Sequence, residues 1–271
     1  MINDITTAKS LIGSKVIQIP SDELFNALSK KVLFEARWGF TKGNLTDEEY
    51  NKIINNKAIP ALEKLIAQEK QTQLIECKAV YGFFPVISKG NKIIVFSEST
   101  QINEKAYLAY ISKADSKTIT FDFPRQTKEP NLCISDFVNN KKLDLIAFFA
   151  VTIGSKIIEE EKKLFESNSY YDYHLLHGLG AELADCGAVC IHNHIYQEII
   201  QKCAYNDSQL KSTRYSFGYL SCPELSYQEK LFELLKPDRI GLSLTQNYQM
   251  VPELSVSGFI IFNDKARYFI P

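Results

Sequence analysis

The chain has 271 residues, 45% hydrophobic and 23% charged, with a formal net charge of -1. That length holds a sizeable core, and the near-neutral balance excludes a global pull toward nucleic acid or an anionic membrane. The longest apolar run, LIAFFAVTIG at Leu145 to Gly154, falls short of the roughly 18 residues that cross a bilayer, and MINDITTAKS at the start lacks the two regions of a signal peptide, so a cytoplasmic protein is expected.

The first 70 residues read as helical. SDELFNALSKKVLFEARWGF opens on a capping signal at Ser21, Glu23 and Leu24 and carries apolar residues at helical spacing. TDEEYNKIINNKAIPALEKLIAQEK offers Thr46 as an N-cap with acids in the first turn, and Pro60 predicts a kink or a restart. ECKAVYGFFPVIS and NKIIVFS are strand-like runs joined by Lys89, Gly90 and Asn91, which predicts a hairpin. KTITFDFP alternates as a strand. DLIAFFAVTIG is apolar on both faces and predicts a central strand covered on both sides. EEEKK at Glu159 to Lys163 mixes signs and reads as a solvated helix start. It opens a long helical stretch, roughly Lys156 to Cys203, with Leu175, Leu176, Leu179, Leu183, Cys190 and Ile191 along one stripe. After the loop RYSFGYLSCPE comes a short helix, LSYQEKLFELL, ending before Pro237. The tail reads as a second hairpin: SVSGFIIF, the turn NDK, then ARYFI. Hairpins in the middle with long helices around them, without strict β-α-β alternation, predict an α+β fold in one domain.

Chemistry-bearing residues are few. The six cysteines show no C-x-x-C spacing and are expected reduced. His174 and His177, and His192 and His194, have no metal-binding pattern around them and read as surface or partly packed side chains. Cys222 before Pro223 sits where a thiolate is stabilised, but no partner base accompanies it, and a small buried thiol is the better reading. Phosphate-cradling glycine motifs and a G-x-S-x-G elbow are absent. In RYSFGYLSCPE, Arg214 offers a planar fork that matches a carboxylate, and Gly218 leaves room for a close approach. Tyr215, Phe217 and Tyr219 alternate around it as surfaces for a flat ring. Two readings stay open from these residues: a surface loop anchored by buried aromatics, or a site for a small ligand with a carboxylate and a flat aromatic part.

R-x-x-x-G-Y followed by CPE resembles the activation (reactivation) domain of cobalamin-dependent methionine synthase. The resemblance runs in order along most of the chain, through YGFFPV at Tyr81, NLCISDFV at Asn131, DLIAFFAVTIG, YHLLHGLGAELAD at Tyr173 and SVSGFIIFNDKARYF at Ser255. The first 70 residues match more loosely, chiefly around Trp38. The resemblance implies one C-shaped α+β unit over residues 1–271, with a mainly antiparallel twisted sheet flanked by long helices. It implies S-adenosylmethionine as ligand and methyl donor, for reductive methylation of cob(II)alamin. It also implies two partners, a cobalamin-binding module that carries the cobalamin and a flavodoxin-type electron donor.

By the same resemblance, Arg214 takes the place of the arginine that holds the ligand carboxylate. Ser216 takes that of a backbone contact, and Gly218 that of the glycine admitting the adenosyl part. Tyr219 matches a tyrosine facing the corrin, Tyr268 and Phe269 an aromatic pair beside the ligand, and Asp185 a glutamate near the reacting groups. Two positions depart: Leu225 stands where the family often has histidine after CPE, and the family's N-terminal acidic ligand contact falls on Lys30, with Glu35 nearby. No cobalamin-binding D-x-H-x-x-G occurs, so the cobalamin module is expected in trans, with this chain as a standalone activation component of a methyltransferase. An accessory protein for another corrinoid methyltransferase, or a non-catalytic S-adenosylmethionine-binding module, are the alternatives.

Overall fold

The computed structural model describes residues 9–97, 118–203 and 210–271. Most of MINDITTAKS, and Lys117 at the head of KTITFDFP, lie outside the described residues. A 3-10 turn at Lys9–Leu11 leads into β1 (Gly13–Gln18). Helices α1 (Ser21–Ala27) and α2 (Lys30–Val32) follow, and α2 runs on as a π-helical turn, Leu33–Arg37. The capping signal at Ser21 is not used as predicted. Ser21 is the first helical residue rather than the N-cap, which is Pro20, and no side-chain cap hydrogen bond forms there. The expected single helix is broken at extended Leu28 and recapped by the Ser29 hydroxyl.

Thr46 behaves as read: with Glu49 it forms a complete capping box on α3 (Asp47–Ile53). Pro60 enters where predicted, at the start of α4 (Ile59–Thr72), after a π-helical turn at Ile54–Ala58. That restart accommodates the ring, which would otherwise clash with the preceding turn.

Next come β2 (Lys78–Lys89), β3 (Lys92–Phe96), β4 (Thr118–Asp122) and β5 (Asp144–Thr152). The β2–β3 hairpin turns at Gly90 and Asn91 as the sequence predicts, with Lys89 opposite Lys92. Among the described residues the sheet order is β4-β3-β2-β5-β9-β6, with β1 also on β2, and every pairing is antiparallel. β5 is buried along its whole length between β2 and β9 (Ser255–Ile261). Leu145, Ala147, Phe149 and Val151 face one core, under α1, α4 and the long helix; Ile146, Phe148 and Ala150 face the other. Both faces are covered, which is why the run reads as continuously apolar. The fold is therefore α+β with an antiparallel sheet.

The stretch from Lys156 to Cys203 is two helices, α5 (Lys156–Glu166) and α6 (Tyr170–Cys203). Between them Asn168 adopts the left-handed conformation, φ 59°, which asparagine tolerates better than most residues. Glu161 departs from the solvated reading. It is buried against α6, its Oε2 lies 3.3 Å from His177 Nδ1, and burial raises its carboxyl pKa. β6 (Thr213–Tyr215), α7 (Tyr227–Leu235), a 3-10 turn at Pro237–Ile240 and the ribbon β7 (Ser243–Leu244) with β8 (Met250–Val251) lead to β9.

The predicted closing hairpin does not form. Only its first arm is a strand, because β9 already pairs β5 on one edge and β6 on the other. ARYFI instead crosses β6 and is fastened by side chains. Thr213 Oγ1 donates to Ala266 O (2.9 Å), Tyr215 OH to Arg267 O (3.0 Å), and Gln126 Nε2 to Ile270 O (2.6 Å). Among the described residues, no helix is long and apolar enough to cross a membrane.

Candidate functional site

Residues 213–222 are shaped by where β6 must pass. Strand alternation sends Arg214 to the α6 side of the sheet and Tyr215 to the opposite core, where its ring stacks on Phe259 at 5.5 Å. Phe217 goes to the same core and stacks on Phe121 at 5.7 Å. The expectation that Tyr215, Phe217 and Tyr219 together offer stacking surfaces is thus corrected. Two of these rings are spent on packing, and only Tyr219, 70% exposed, faces out. Gly218 makes the reversal, with φ 89°. Its N–H donates to Cys222 O (2.9 Å), and Cys222 N–H to Tyr219 O (2.8 Å). Leu225, in the place of the family histidine, packs beneath this turn: a Cβ on Gly218 would lie 3.3 Å from Leu225 Cδ1.

A second glycine sets how closely β6 meets β9. A Cβ on Gly258 would stand 2.2 Å from Tyr215 O and 3.0 Å from Ser216 Oγ. The crossing of these backbones is possible only without a side chain there. A lone glycine inside a strand pattern is a sign of such an approach, so this residue was findable in SVSGFII.

Between β6, α6 and the tail lies a cavity of about 480 Å³, within the range of small-molecule sites. Its wall takes Asp185 from α6, Arg214 to Ser216 and Tyr219 to Cys222 from β6 and its loop, Val256 from β9, and Tyr268 to Ile270 from the tail. Six of the seven residues singled out in the sequence meet there: Asp185, Arg214, Ser216, Tyr219, Tyr268 and Phe269. Gly218 is not in the wall; it turns the loop that builds it.

The tail is held against this wall. Tyr268 OH donates to Arg214 O, and Ser221 Oγ donates to Phe269 O (2.5 Å) and accepts from Phe269 N–H (3.3 Å). Ser221, itself buried, has no signal in the sequence.

The charges of the site are separated. Arg214 Nη1 is buried without a hydrogen-bond partner, which is costly for a guanidinium nitrogen unless an anion joins it. Nearby His192 is held neutral: burial, and then the Arg214 charge, lower its pKa to about 4. Its Nε2 lies 2.7 Å from Ser212 Oγ. Asp185, across the wall, pairs with Arg37 Nη2 at 2.5 Å, and Arg37 Nε reaches Glu182 at 3.2 Å. Cys222 is a buried thiol, as expected, and burial pushes its pKa up, away from thiolate chemistry. Among the described residues, no cluster of His, Cys, Asp and Glu suited to a metal ion occurs. The arrangement can bind and align a ligand that carries an anionic end and a cationic part.

The family model described as vitamin B12 dependent methionine synthase, activation domain, matches residues 25–270. Methionine synthase of Mycobacterium tuberculosis (strain ATCC 25618 / H37Rv) is 30% identical over 281 aligned residues, covering 95% of this chain and 22% of that protein. Methionine synthase of Mycobacterium leprae (strain TN) is 29% identical with the same coverage. The chain therefore spans about a fifth of the length of these relatives. A crystal structure of the MetH reactivation domain bound to AdoHcy has the same fold, with a TM-score of 0.75 and 20% identity, covering 96% of this chain and 81% of that one.

Proposed function

Because the chain belongs to the family of vitamin B12 dependent methionine synthase activation domains, we propose that residues 1–271 act as one unit that binds S-adenosylmethionine in the cavity beside Arg214. The observation that carries this reading is the buried, unpartnered Nη1 of Arg214, a residue of the cavity wall. The solved relative of the same fold is bound to AdoHcy, a ligand of the same class.

In this reading the Arg214 fork holds the ligand carboxylate, and Asp185 supplies negative charge toward the cationic part of the ligand. The backbone at Ser216 meets the adenosyl part, and Gly218 turns the loop that places it. Tyr268 and Phe269 form the wall beside it, and the tail that carries them excludes water from that side. Tyr219, exposed at the rim, faces the corrin of a docked cobalamin module. When bound, S-adenosylmethionine supplies an activated methyl group, and the partner's cobalamin supplies the nucleophile that takes it. The chain's own task is binding and alignment, so a site without a nucleophile or an acid–base pair fits it.

The cellular role that follows is support of reductive methylation of cob(II)alamin on a cobalamin-dependent methionine synthase module in trans. A flavodoxin-type protein supplies the electron, in the cytoplasm, and the chain serves as the activation component of a methyltransferase. Calorimetric titration tests the reading: S-adenosylmethionine binds the purified protein, and Arg214→Ala weakens binding by roughly 2–3 kcal/mol, the scale of a lost charge-assisted pair. Absence of binding at millimolar ligand contradicts it.

A further inference from the structure

We infer that Arg37, outside the cavity wall, is a positioning residue that fixes Asp185 against the cavity, an inference resting on the S-adenosylmethionine reading of that cavity. Glu182 and Asp185 stand three residues apart on α6, and the Arg37 fork spans both, Nε to Glu182 and Nη2 to Asp185. The two ends differ. The Glu182 side chain is 7% exposed and that of Asp185 is 53% exposed. A purely structural arginine needs only the buried partner, because a buried carboxylate requires a counter-charge. The second arm reaches a carboxylate that water already solvates and that borders the cavity.

The backbone around Arg37 is fixed well enough for this to matter. Arg37 closes the π-helical turn Leu33–Arg37, a local geometry frequent at functional sites. Trp38, next in sequence, is buried and donates its indole N–H to Leu175 O at 2.9 Å. The seat for this segment is cut into α6 at Gly178, where a Cβ would lie 2.8 Å from Trp38 Cδ1 and 3.3 Å from Arg37 Cβ. An ordinary surface ion pair contributes little because two flexible side chains must be ordered to form it. Here the arginine is ordered by its neighbours in advance. Three charged groups sum to one net negative charge, and of the two carboxylates Asp185 is the one that borders the cavity. A carboxylate already oriented spares an incoming cation the cost of ordering it.

The test is a double-mutant cycle on S-adenosylmethionine binding, measured by calorimetry in the full chain carrying Glu182→Gln, which removes the buried charge that an arginine substitution would leave unpaired. In that background Arg37→Gln lowers affinity about tenfold, a coupling typical of groups in direct contact. With Asp185→Asn also present, the same change costs less than about twofold. In the unmodified chain Arg37→Lys, which keeps the charge but loses the fork, gives an intermediate loss. An equal loss with and without the Asp185 carboxylate, an unchanged affinity, or tighter binding once Arg37 is removed overturns the inference. So does an Arg37→Lys protein that binds like wild type. If the unmodified chain itself fails to bind S-adenosylmethionine, the reading of the cavity fails and the Arg37 role falls with it. Wild-type binding together with an additive cycle removes the Arg37 role alone.

Discussion

A guanidinium nitrogen buried without an acceptor lowers stability, so Arg214 is expected to be held for function at a cost to the fold. Arg214→Met should therefore keep or raise the melting temperature while S-adenosylmethionine binding is lost. A clear fall in melting temperature would assign the arginine a structural role instead. His192 gives a second residue-scale test. Its pKa is lowered from 6.5 to about 4 in the folded protein, so the unfolded chain takes up the proton first. Stability is full above about pH 6.5 and declines as pH falls toward 4, by at most about 3 kcal/mol. Denaturation at pH 7 and pH 5 should show wild type losing more stability than His192→Gln; equal losses contradict the assignment. At this scale the sequence was legible where residue type alone carries the chemistry. Arg214 and Gly218 stand out because few other residues offer a fork or a positive φ. Tyr215 and Phe217 misled because their alternation with Tyr219 ends at the Gly218 reversal, which sends only Tyr219 outward. Arg37 was invisible because its partners lie on α6, far along the chain.

Elements determine whether these residues meet. β6 can cross β9 closely enough to place Arg214 and Ser216 only because Gly258 has no side chain. Gly258→Ala should cost about 2 kcal/mol or more in denaturant unfolding, as overpacked cores do, and should weaken ligand binding by displacing β6. A full-strength site in that variant would show that the crossing is not needed. The tail is held by side-chain hydrogen bonds rather than strand pairing, so Ser221→Ala should loosen Phe269 and weaken binding with little change in global stability. β5 and the β2–β3 hairpin were legible because burial on both faces and a Gly-Asn turn each leave a local mark. The tail was not legible. ARYFI has strand composition, and the occupation of both β9 edges denies it the hairpin partner that its sequence suggests. The break at Ser167 to Ser169 was similarly hidden inside a helical pattern on both sides.

At the scale of the whole molecule, two cores on opposite faces of one sheet hold β6 and α6 in fixed relation, and the cavity opens between them. Its rim carries Tyr219 and Leu220, 70% and 64% exposed, beside exposed Tyr268 and Ile270. Exposed apolar side chains gathered at a cavity mouth suit a docking partner. Replacing Tyr219 and Leu220 together by serine should lower methyl transfer to a separately added cobalamin module under reducing conditions by far more than it lowers S-adenosylmethionine affinity; equal losses would contradict the docking role. Parallel assays with modules from methionine synthase and from other corrinoid methyltransferases identify which partner this rim fits. The measurement closest to the central claim is a crystal structure of the chain with S-adenosylmethionine. The account predicts the ligand carboxylate on Arg214 Nη1, with the adenosyl part between the Ser216 backbone and the Tyr268–Phe269 wall. A ligand bound elsewhere, with Arg214 Nη1 still unpartnered, would contradict it.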